Sequence, residues 1–297
     1  MLIDAQLHDP AIFLDWDSSD QRTKWDLMLE LELAYMQAVG VDRALLHPLD
    51  LPWGEYAVSR RPDRFGLVAM VGLTQSGGID PLTPAIDRVI AQKRATAGLV
   101  GVRIARSGGE DWLERFRPTI AACAHEGLPL FVLSPGDLIA PATIAGWHPD
   151  LTIVIDHIGL PQPPFATPGS PLFESLPSLL ALAAHRNIAV KLSGAPSMSG
   201  RAYPYDDLWP HLHQIVDAFG PQRLMWGSDI SRFIGRIGFV IPTMPGTGGD
   251  GFVPNHSYAE ALFFIRETNE LSADDKAWIL GRTAQALVPW PDAIAQP

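Results

Sequence analysis

Eight short runs rich in Val, Ile and Leu recur along the 297-residue chain, and a longer amphipathic segment separates each run from the next. Continuous apolar strands of this kind suit a parallel sheet that is covered on both faces. Eight repeats of strand and helix predict either a closed (β/α)₈ barrel or a doubly wound open sheet. The predicted strands are Leu2–Ala5, Arg43–Leu46, Leu67–Gly72, Gly98–Ile104, Pro129–Leu133, Leu151–Ile155, Ile188–Leu192 and Arg223–Trp226.

The segments between these strands have helical spacing. In the first of them, apolar residues such as Leu27 and Leu31 follow the polar cluster Ser18, Ser19 and Asp20, which predicts a helix with an N-cap. Further helices are predicted at Thr83–Ala95, Trp112–His125, Ile139–Gly146, Leu172–His185, Asp206–Phe219, Tyr258–Thr268 and Ala273–Leu287.

The closed barrel is favoured over the open sheet. The sequence has no Gly-x-Gly-x-x-Gly turn after the first strand and no Gly-Lys-Ser/Thr phosphate loop, the two common nucleotide-binding motifs of open sheets. No linker divides the chain, so residues 1–297 are predicted to form one domain. The stretch Pro242–Pro254 is rich in glycine and proline, which predicts a loop after strand eight that either closes over the site as a lid or is an irregular excursion.

Composition excludes several classes of protein. Hydrophobic residues make up 47% of the chain, far from the composition of a disordered protein. The net charge of −11 argues against a nucleic-acid partner, because phosphate binding needs clustered Lys and Arg. No apolar stretch approaches the roughly 20 residues of a membrane span, and strand one begins at Leu2, so we expect a cytoplasmic protein. The lone cysteine, Cys123, is expected to be a buried thiol.

Polar residues stand at the carboxyl ends of three predicted strands. In a barrel these ends share one mouth. Strand one ends in Asp4-Ala5-Gln6-Leu7-His8, where the period of two places Gln6 and His8 on the same side of the strand. Strand six is followed by His157 and strand eight by Asp229. We therefore expect His8, His157 and Asp229 to form one site, because burying this much polarity without a function costs stability.

Two kinds of chemistry fit these three residues. Two imidazoles and a carboxylate can hold one Zn²⁺, Mn²⁺ or Fe²⁺ ion with positions left for water. Without metal, the histidines can hydrogen-bond a substrate carbonyl while Asp229 draws a proton from water. The residue types alone leave both open.

Several motifs together resemble the amidohydrolase-related family. They are IDAQLH near the amino terminus, IDHIGLP ending at Pro161, MWGSD at Met225–Asp229, and YAEAL and ILGRTAQAL within Tyr258–Trp290. The branch that they resemble contains lactone hydrolases of the 2-pyrone-4,6-dicarboxylate lactonase type. The resemblance implies a distorted barrel with the site at the strand ends, and Asp229 as the general base.

The sequence departs from the family pattern at two positions. Gln6 replaces the first histidine of the usual His-x-His, and the fifth strand ends in Ser134 without the residue that bridges two metals in metal-dependent relatives. The resemblance therefore argues against a binuclear centre. It leaves one divalent ion held by His8, His157 and Asp229, with Gln6 as a weak oxygen ligand, or a metal-free site in which Gln6 donates a hydrogen bond to substrate.

Substrate contacts are predicted around the same mouth. Arg103 and Arg106 lie in GVRIARSGGE, where lactonase-like relatives place arginines that bind substrate carboxylates, and an arginine fork fits a carboxylate. Gln6, Ser134 and His47 complete the predicted contacts, while Lys191 and Arg232 are weaker candidates. His256 is expected on the surface, with a position at the mouth of the barrel as the alternative. The remaining histidines are given no chemistry, and Trp226 is expected to pack the barrel.

These features predict the hydrolysis of a small carboxylated lactone or a related organic acid. Asp229 would activate water, and His8 and His157 would polarise the carbonyl directly or through one metal ion. The alternative enzyme is a metal-dependent, non-oxidative decarboxylase of an aromatic acid. A non-catalytic barrel that binds a small ligand is the alternative of another class, and a homo-oligomer such as a dimer is compatible with either.

Overall fold

A computed structural model of the chain describes residues 1–10, 20–71, 85–96, 98–106, 109–163, 166, 169–229 and 256–290. The predicted loop or lid at Pro242–Pro254 lies outside these residues, as do Arg232 and the predicted boundary residues Gly72 and Thr83. Among the described helices, none combines the length and the apolar character needed to cross a membrane.

Eight parallel strands follow one another in chain order around a single sheet. They are β1 (Ile3–Leu7), β2 (Arg43–Leu46), β3 (Phe65–Met70), β4 (Leu99–Ala105), β5 (Leu130–Leu133), β6 (Ile153–Ile155), β7 (Ile188–Lys191) and β8 (Leu224–Met225). The ends of the sheet also meet, because Ala5 N donates to Trp226 O at 3.0 Å and Asp229 N donates to Gln6 O at 3.0 Å. The predicted (β/α)₈ barrel is confirmed as a nearly closed barrel.

Helices lie between the strands and follow the last one. They are α1 (Gln21–Val39), α2 (Leu51–Arg60), α3 (Ala85–Ala95), α4 (Trp112–Arg115), α5 (Arg117–Glu126), α6 (Ile139–Trp147), α7 (Leu176–Ala181), α8 (Trp209–Phe219), α9 (Tyr258–Arg266), α10 (Ala273–Ala277) and α11 (Thr283–Leu287). The predicted N-cap of α1 is confirmed, since the Asp20 side chain accepts from Thr23 N.

Proline sets where three of these helices begin. The predicted helix Trp112–His125 is divided at Phe116, and the one predicted from Leu172 begins only at Leu176. A proline stands in the first two positions of α5, α7 and α8. Proline has no backbone N–H to donate, which costs nothing in the first turn of a helix and breaks a helix further along.

Helix α2 was not predicted, because Pro52 and Gly54 give its sequence the composition of a turn. Pro52 lies in the first turn, where it is tolerated. Gly54 is needed for packing, since a Cβ there would lie 2.4 Å from Pro48 Cγ. Trp53 and Ala57 are fully buried, so tertiary packing stabilises this helix despite its weak propensity.

The predicted final helix Ala273–Leu287 is interrupted by a π-helical turn at Trp278–Arg282. Gly281 lies in this turn, where a Cβ would stand 2.2 Å from Met1 O. Ile279 O accepts from Trp226 N at 2.8 Å. The turn thus brings the carboxyl-terminal helices against the first and last strands of the barrel.

Along the inward face of the strands, an apolar layer is followed toward the carboxyl ends by a polar layer. Leu45, Val154 and Ala189 belong to the inner apolar cluster. Two residues further along β2, β6 and β7, toward the carboxyl ends, the same face carries His47, Asp156 and Lys191, all buried. The outward side chains of the strands join the larger cluster that packs against the helices. The polar layer lies directly beneath the predicted site.

Candidate active site

Asp229 lies between the two predicted histidines. Its side chain is fully buried, with Oδ1 3.2 Å from His8 Nε2 and Oδ2 3.6 Å from His157 Nδ1. The backbone of Asp229 is left-handed, with φ of 54°, which is uncommon for a residue other than glycine. The three residues predicted from separate strand ends are therefore brought together.

His157 also has a left-handed backbone, with φ of 52°, and so does Ile158, with φ of 62°. Such conformations cost about 1–3 kcal/mol each and persist only where the surrounding structure enforces them. Gln162 supplies part of that enforcement, because its side-chain amide donates to His157 O at 3.2 Å and to Ser193 O at 3.1 Å. The turn after β6 is thereby tied to the segment after β7.

The neighbours of His157 fix which ring nitrogen carries its proton. Arg103 Nη2 lies 3.3 Å from His157 Nε2, and a guanidinium can only donate. Nε2 therefore accepts, and the proton lies on Nδ1. That N–H faces Ser193 Oγ at 2.9 Å and the carboxylate of Asp229.

The neighbours of His8 fix its tautomer in the same way. His8 Nδ1 lies 2.5 Å from the backbone oxygen of His47, which can only accept, so Nδ1 carries the proton. His8 Nε2 lies 3.0 Å from the side-chain amide nitrogen of Gln6, which can only donate. Nε2 therefore accepts from Gln6, and Asp229 Oδ1 lies 3.2 Å from the same nitrogen.

A buried ion cluster lies behind His157. Arg103 Nε donates to Asp156 Oδ2 at 2.6 Å, and Lys191 Nζ lies 2.7 Å from Asp156 Oδ1. Burial alone would raise the pKa of Asp156, but the charges of Arg103 and Lys191 outweigh it and hold that pKa well below its usual range. The carboxylate stays ionised and fixes both cations in place.

Lys191 is fully buried at the end of β7. Burial lowers its pKa to about 8, although the charge of Asp156 opposes that shift. His47 Nε2 lies 3.2 Å from Lys191 Nζ and 3.2 Å from Ala5 O. Burial and the charges of Lys191 and Arg103 hold the pKa of His47 well below its usual value, so this imidazole is neutral.

Asp4 ties the first strand to the segment that carries Asp229. Its carboxylate accepts from Ser228 N at 2.9 Å, Ser228 Oγ at 2.5 Å, Tyr258 Oη at 2.9 Å and Gln6 N at 3.0 Å. Burial raises the pKa of Asp4 to about 6, and these hydrogen bonds oppose that rise. Asp4 thus holds the backbone N–H of Gln6 and that of Ser228, the residue before Asp229.

Arg106 and Ser134 lie at the ends of β4 and β5 and converge on Asp137. The Arg106 side chain is 49% exposed, with Nε 3.7 Å from Asp137 Oδ2. Ser134 is buried, and its hydroxyl donates to Asp137 O at 2.9 Å. Trp112 Nε1 also donates to Asp137, at 3.1 Å. The exposed guanidinium of Arg106 is the more accessible of the two predicted arginines, since Arg103 is buried.

Some residues of the site were not foreseen, and one prediction is wrong. Asp156 and Ser193 had no predicted role. The signal that could have identified them is a charged or hydroxyl residue directly after a predicted buried strand. His256 was expected on the surface but is buried, because it packs edge-on against the ring of Tyr205, with centroids 6.5 Å apart. Trp226 is buried as predicted, with Nε1 donating to Ala261 O.

A protein-family model described as amidohydrolase matches residues 53–290. The chain belongs to the amidohydrolase family. The resemblance seen in the motifs within this segment is thereby confirmed, whereas the motif that carries Gln6 and His8 lies before it.

Two characterised relatives act on lactones by name. The chain is 36% identical over 137 residues to an L-fucono-1,5-lactonase of Burkholderia ambifaria, an alignment that covers 43% of this chain and 45% of the relative. The match therefore spans less than half the length of that relative. The chain is 28% identical over 251 residues to a 4-sulfomuconolactone hydrolase of Rhizobium radiobacter, covering 76% and 74% of the two chains.

Solved structures share the fold over nearly the whole chain. An amidohydrolase from Burkholderia multivorans with bound zinc has a TM-score of 0.67 and 20% identity and covers 97% of this chain and 98% of its own. A protein described as a 2-pyrone-4,6-dicarboxylic acid hydrolase from Pseudomonas putida has a TM-score of 0.62 and 21% identity, with 96% of each chain covered. A 2,6-dihydroxybenzoate decarboxylase from Rhizobium, at 13% identity and a TM-score of 0.59, covers 96% and 98%.

The zinc in one of these structures raises the question of whether the donors of this chain fit a metal ion. His157 Nε2 faces the guanidinium of Arg103 and Nδ1 faces Ser193, so both ring nitrogens are engaged. The oxygen of Gln6 accepts from Lys191. Within the described ranges, no group of three or more His, Cys, Asp or Glu side chains has the arrangement of a metal site. The donor set as folded does not fit a divalent ion held by His8, His157 and Asp229.

Proposed function

We propose that the chain hydrolyses a small lactone that carries a carboxylate. The observation on which this proposal depends is the buried carboxylate of Asp229 between His8 and His157 at the mouth of the barrel. The two relatives that are named as lactone hydrolases support the reaction class. A hydrolase needs a base that activates water beside a group that polarises the carbonyl, and this cluster supplies both kinds of group.

Asp229 is proposed as the general base. It removes a proton from a water molecule as the water oxygen bonds to the lactone carbonyl carbon. The ring C–O bond then breaks, and the leaving oxygen takes up a proton to give the open hydroxy acid. His8 Nε2, an acceptor 3.2 Å from Asp229 Oδ1, can take the proton from Asp229 and pass it to the leaving oxygen.

The two histidines then differ in role. His157 carries its proton on Nδ1, where it faces Ser193 and Asp229, and in the proposed complex the substrate carbonyl replaces the Ser193 hydroxyl as the acceptor of this proton. His8 Nε2 accepts from Gln6 and becomes a donor only after it has taken a proton. Carbonyl polarisation is therefore assigned to His157 at the start of the reaction, and to His8 only later.

The predicted substrate contacts divide by exposure. Gln6 and His47 have no exposed surface, and we propose that they position His8 rather than touch substrate. Arg103 is held by Asp156 against His157, whereas Arg106 lies half-exposed beside Asp137, and we propose that it binds a substrate carboxylate. Ser134 holds Asp137, the partner of Arg106, and so acts on the same contact.

The test is a panel of three lactones, L-fucono-1,5-lactone, 4-sulfomuconolactone and 2-pyrone-4,6-dicarboxylate, with acid release followed by a pH indicator. Wild-type protein is compared with Asp229→Asn, and with Asp274→Asn as a control that removes an exposed carboxylate in α10. We expect hydrolysis of an anionic lactone that falls about 10²–10⁴-fold in Asp229→Asn only.

Other outcomes identify the alternatives. Release of CO₂ from 2,6-dihydroxybenzoate without lactone hydrolysis would replace the proposal with decarboxylation. Tight binding of an anionic lactone without turnover would indicate a ligand-binding barrel. Equal rates in wild-type protein and Asp229→Asn would exclude Asp229 as the base.

A further inference from the structure

Gln162 lies just beyond the strained turn that carries His157, and it is buried. Its side-chain Nε2 lies 3.2 Å from His157 O and 3.1 Å from Ser193 O. A carbonyl oxygen can only accept, so the atom that faces the two carbonyls is the amide nitrogen, and its two hydrogens match them in number. One side chain therefore joins the segment after β6 to the segment after β7.

The turn after β6 is strained along its length. His157, Ile158 and Gly159 have φ of 52°, 62° and 67°, which places three successive residues in the left-handed region. Glycine takes up that region without cost, whereas a β-branched residue such as Ile158 is an outlier there. Without restraint, the first two residues would relax toward right-handed or extended backbone, and the His157 ring would move with them.

Different contacts hold the two ends of this turn. At its far end, Gly159 O accepts from Gly136 N at 2.9 Å, which ties the turn to the segment after β5. At its beginning, His157 O accepts from Leu160 N at 3.3 Å and from the amide of Gln162. Leu160 belongs to the turn itself, whereas Gln162 brings in the segment after β7. The restraint on His157 from that side of the barrel thus passes through Gln162.

Ser193 contacts both His157 and the segment that precedes Asp229. Its Oγ lies 2.9 Å from His157 Nδ1. Its Cβ lies against Gly227, where an added Cβ would stand 3.2 Å away. Gly227 is two residues before Asp229, whose Oδ2 lies 3.6 Å from His157 Nδ1. Holding His157 O and Ser193 O together therefore restrains the His157 ring relative to the segment that carries Asp229.

Prolines on both sides restrict the backbone of Gln162. They are Pro161 and Pro163, and Leu160 before them is extended, with φ of −107° and ψ of 151°, as a residue before proline prefers. Gln162 O also accepts from Ala166 N at 2.9 Å. The side-chain amide thus reaches its two carbonyls from a backbone that has little freedom of its own.

We propose that Gln162 is a positioning residue that keeps the strained backbone of His157 in place and thereby holds its imidazole beside Asp229. In the hydrolytic mechanism this placement brings His157 to the carbonyl of the lactone. The effect on catalysis rests on the proposed function, whereas the restraint on the turn does not depend on the substrate.

A purely structural role is the alternative, in which Gln162 only joins two segments of the barrel. Asn187 provides a matched comparison, because its side-chain amide donates to His148 O at 3.2 Å and to Leu151 O at 2.9 Å. Asn187 precedes β7 and both carbonyls precede β6, so this bridge lies at the opposite end of the same two strands. His148 has an ordinary φ of −137°. An amide with a purely structural role should behave as Asn187 does.

The experiment compares Gln162→Met with Asn187→Leu, each of which replaces the amide by an apolar side chain of similar size. Both variants are unfolded in urea, and kcat and KM are measured on the lactone that the wild-type protein hydrolyses. Gln162→Met should lower kcat about 100-fold with little change in KM, because the substrate still binds beside a misplaced imidazole. Asn187→Leu should lower the midpoint of urea unfolding and leave kcat unchanged. An unchanged kcat in Gln162→Met would overturn the proposal.

A second variant guards against a failure of Gln162→Met to fold. Gln162→Glu keeps the length and polarity of the side chain but, as a carboxylate, has no hydrogen to donate to the two carbonyls. It should lower kcat as Gln162→Met does, and a wild-type kcat in this variant would overturn the proposal.

Crystal structures of the variants test the restraint without any substrate. In Gln162→Met the backbone of His157 should leave the left-handed region, and the distance from its Nδ1 to Asp229 Oδ2 should grow beyond 3.6 Å. Both should be unchanged in Asn187→Leu. A turn in Gln162→Met that matches the wild type would overturn the inference, whereas a displaced turn in a protein that hydrolyses no lactone would overturn only the proposed function.

Discussion

Arg103 Nη2 lies 3.3 Å from His157 Nε2, on the side of the ring away from Asp229. The same guanidinium is fixed by Asp156, whose other oxygen is held by Lys191. A chain of buried charges therefore reaches from the wall of the barrel to the imidazole beside Asp229. The contribution of these charges to the free energy of unfolding and their effect on catalysis can be measured separately.

Arg103→Met is expected to lower the free energy of unfolding by about 3–5 kcal/mol, because Asp156 stays buried with one cation fewer. Urea unfolding measures this loss. Arg61→Met is the matched control, since Arg61 pairs with Asp63 at 2.8 Å on the surface, where a pair contributes about 0–1 kcal/mol. Equal losses in the two variants would contradict a buried cluster at Arg103.

Arg106→Ala is expected to raise KM for an anionic lactone about tenfold, because a charge-assisted hydrogen bond to a carboxylate contributes roughly 1.5–3 kcal/mol. The change in KM for the uncharged L-fucono-1,5-lactone should be small. Steady-state kinetics on both substrates measure the difference. A similar rise in KM for the two lactones would assign Arg106 to the structure of the loop rather than to the substrate carboxylate.

Asp4 is expected to make stability depend on pH. Its pKa is raised by burial from 3.8 to about 6, so its contribution to folding is fully present below pH 3.8 and is lost as the pH rises through 6. The advantage of the wild type over Asp4→Asn should shrink by about 2 kcal/mol between about pH 4.5 and pH 7. Urea unfolding of both proteins across this range tests it, and a constant difference would refute it.

Removal of metal is expected to leave activity unchanged, because Arg103 and Ser193 engage both ring nitrogens of His157. Protein purified without chelators should hold far less than one equivalent of metal by elemental analysis, and dialysis against EDTA should not change kcat. About one equivalent of zinc, manganese or iron in the wild type, lost in both Asp229→Asn and His157→Ala, would reverse this expectation and return decarboxylation to consideration.

The barrel and the central cluster could be predicted from the sequence because both depend on short-range pattern. A period of two and the order of strands are enough to bring His8 and Asp229 to one mouth. The eight predicted strands were confirmed to within a few residues. The helices differed where a proline moved the start, as at Leu176, where α2 was missed, and where a π-helical turn interrupts the last predicted helix.

The polar layer beneath the site could not be predicted because it depends on which distant side chains meet. Asp156 joins Arg103 from β4 and Lys191 from β7, and nothing near any of the three in the chain indicates the others. The protonated nitrogen of His8 is set by the backbone of His47, thirty-nine residues away. Such contacts follow from barrel closure, which the sequence pattern predicts only as a topology.

The side chains of the strands divide between two environments. The apolar cluster outside the strands packs them against the helices and includes most of the buried hydrophobic residues, whereas side chains such as His47, Asp156 and Lys191 lie inside the barrel near the strand ends. A substitution at one of these inward positions changes the polar layer and leaves the contacts between strands and helices in place. The barrel therefore separates the residues that set its chemistry from those that join its strands to its helices.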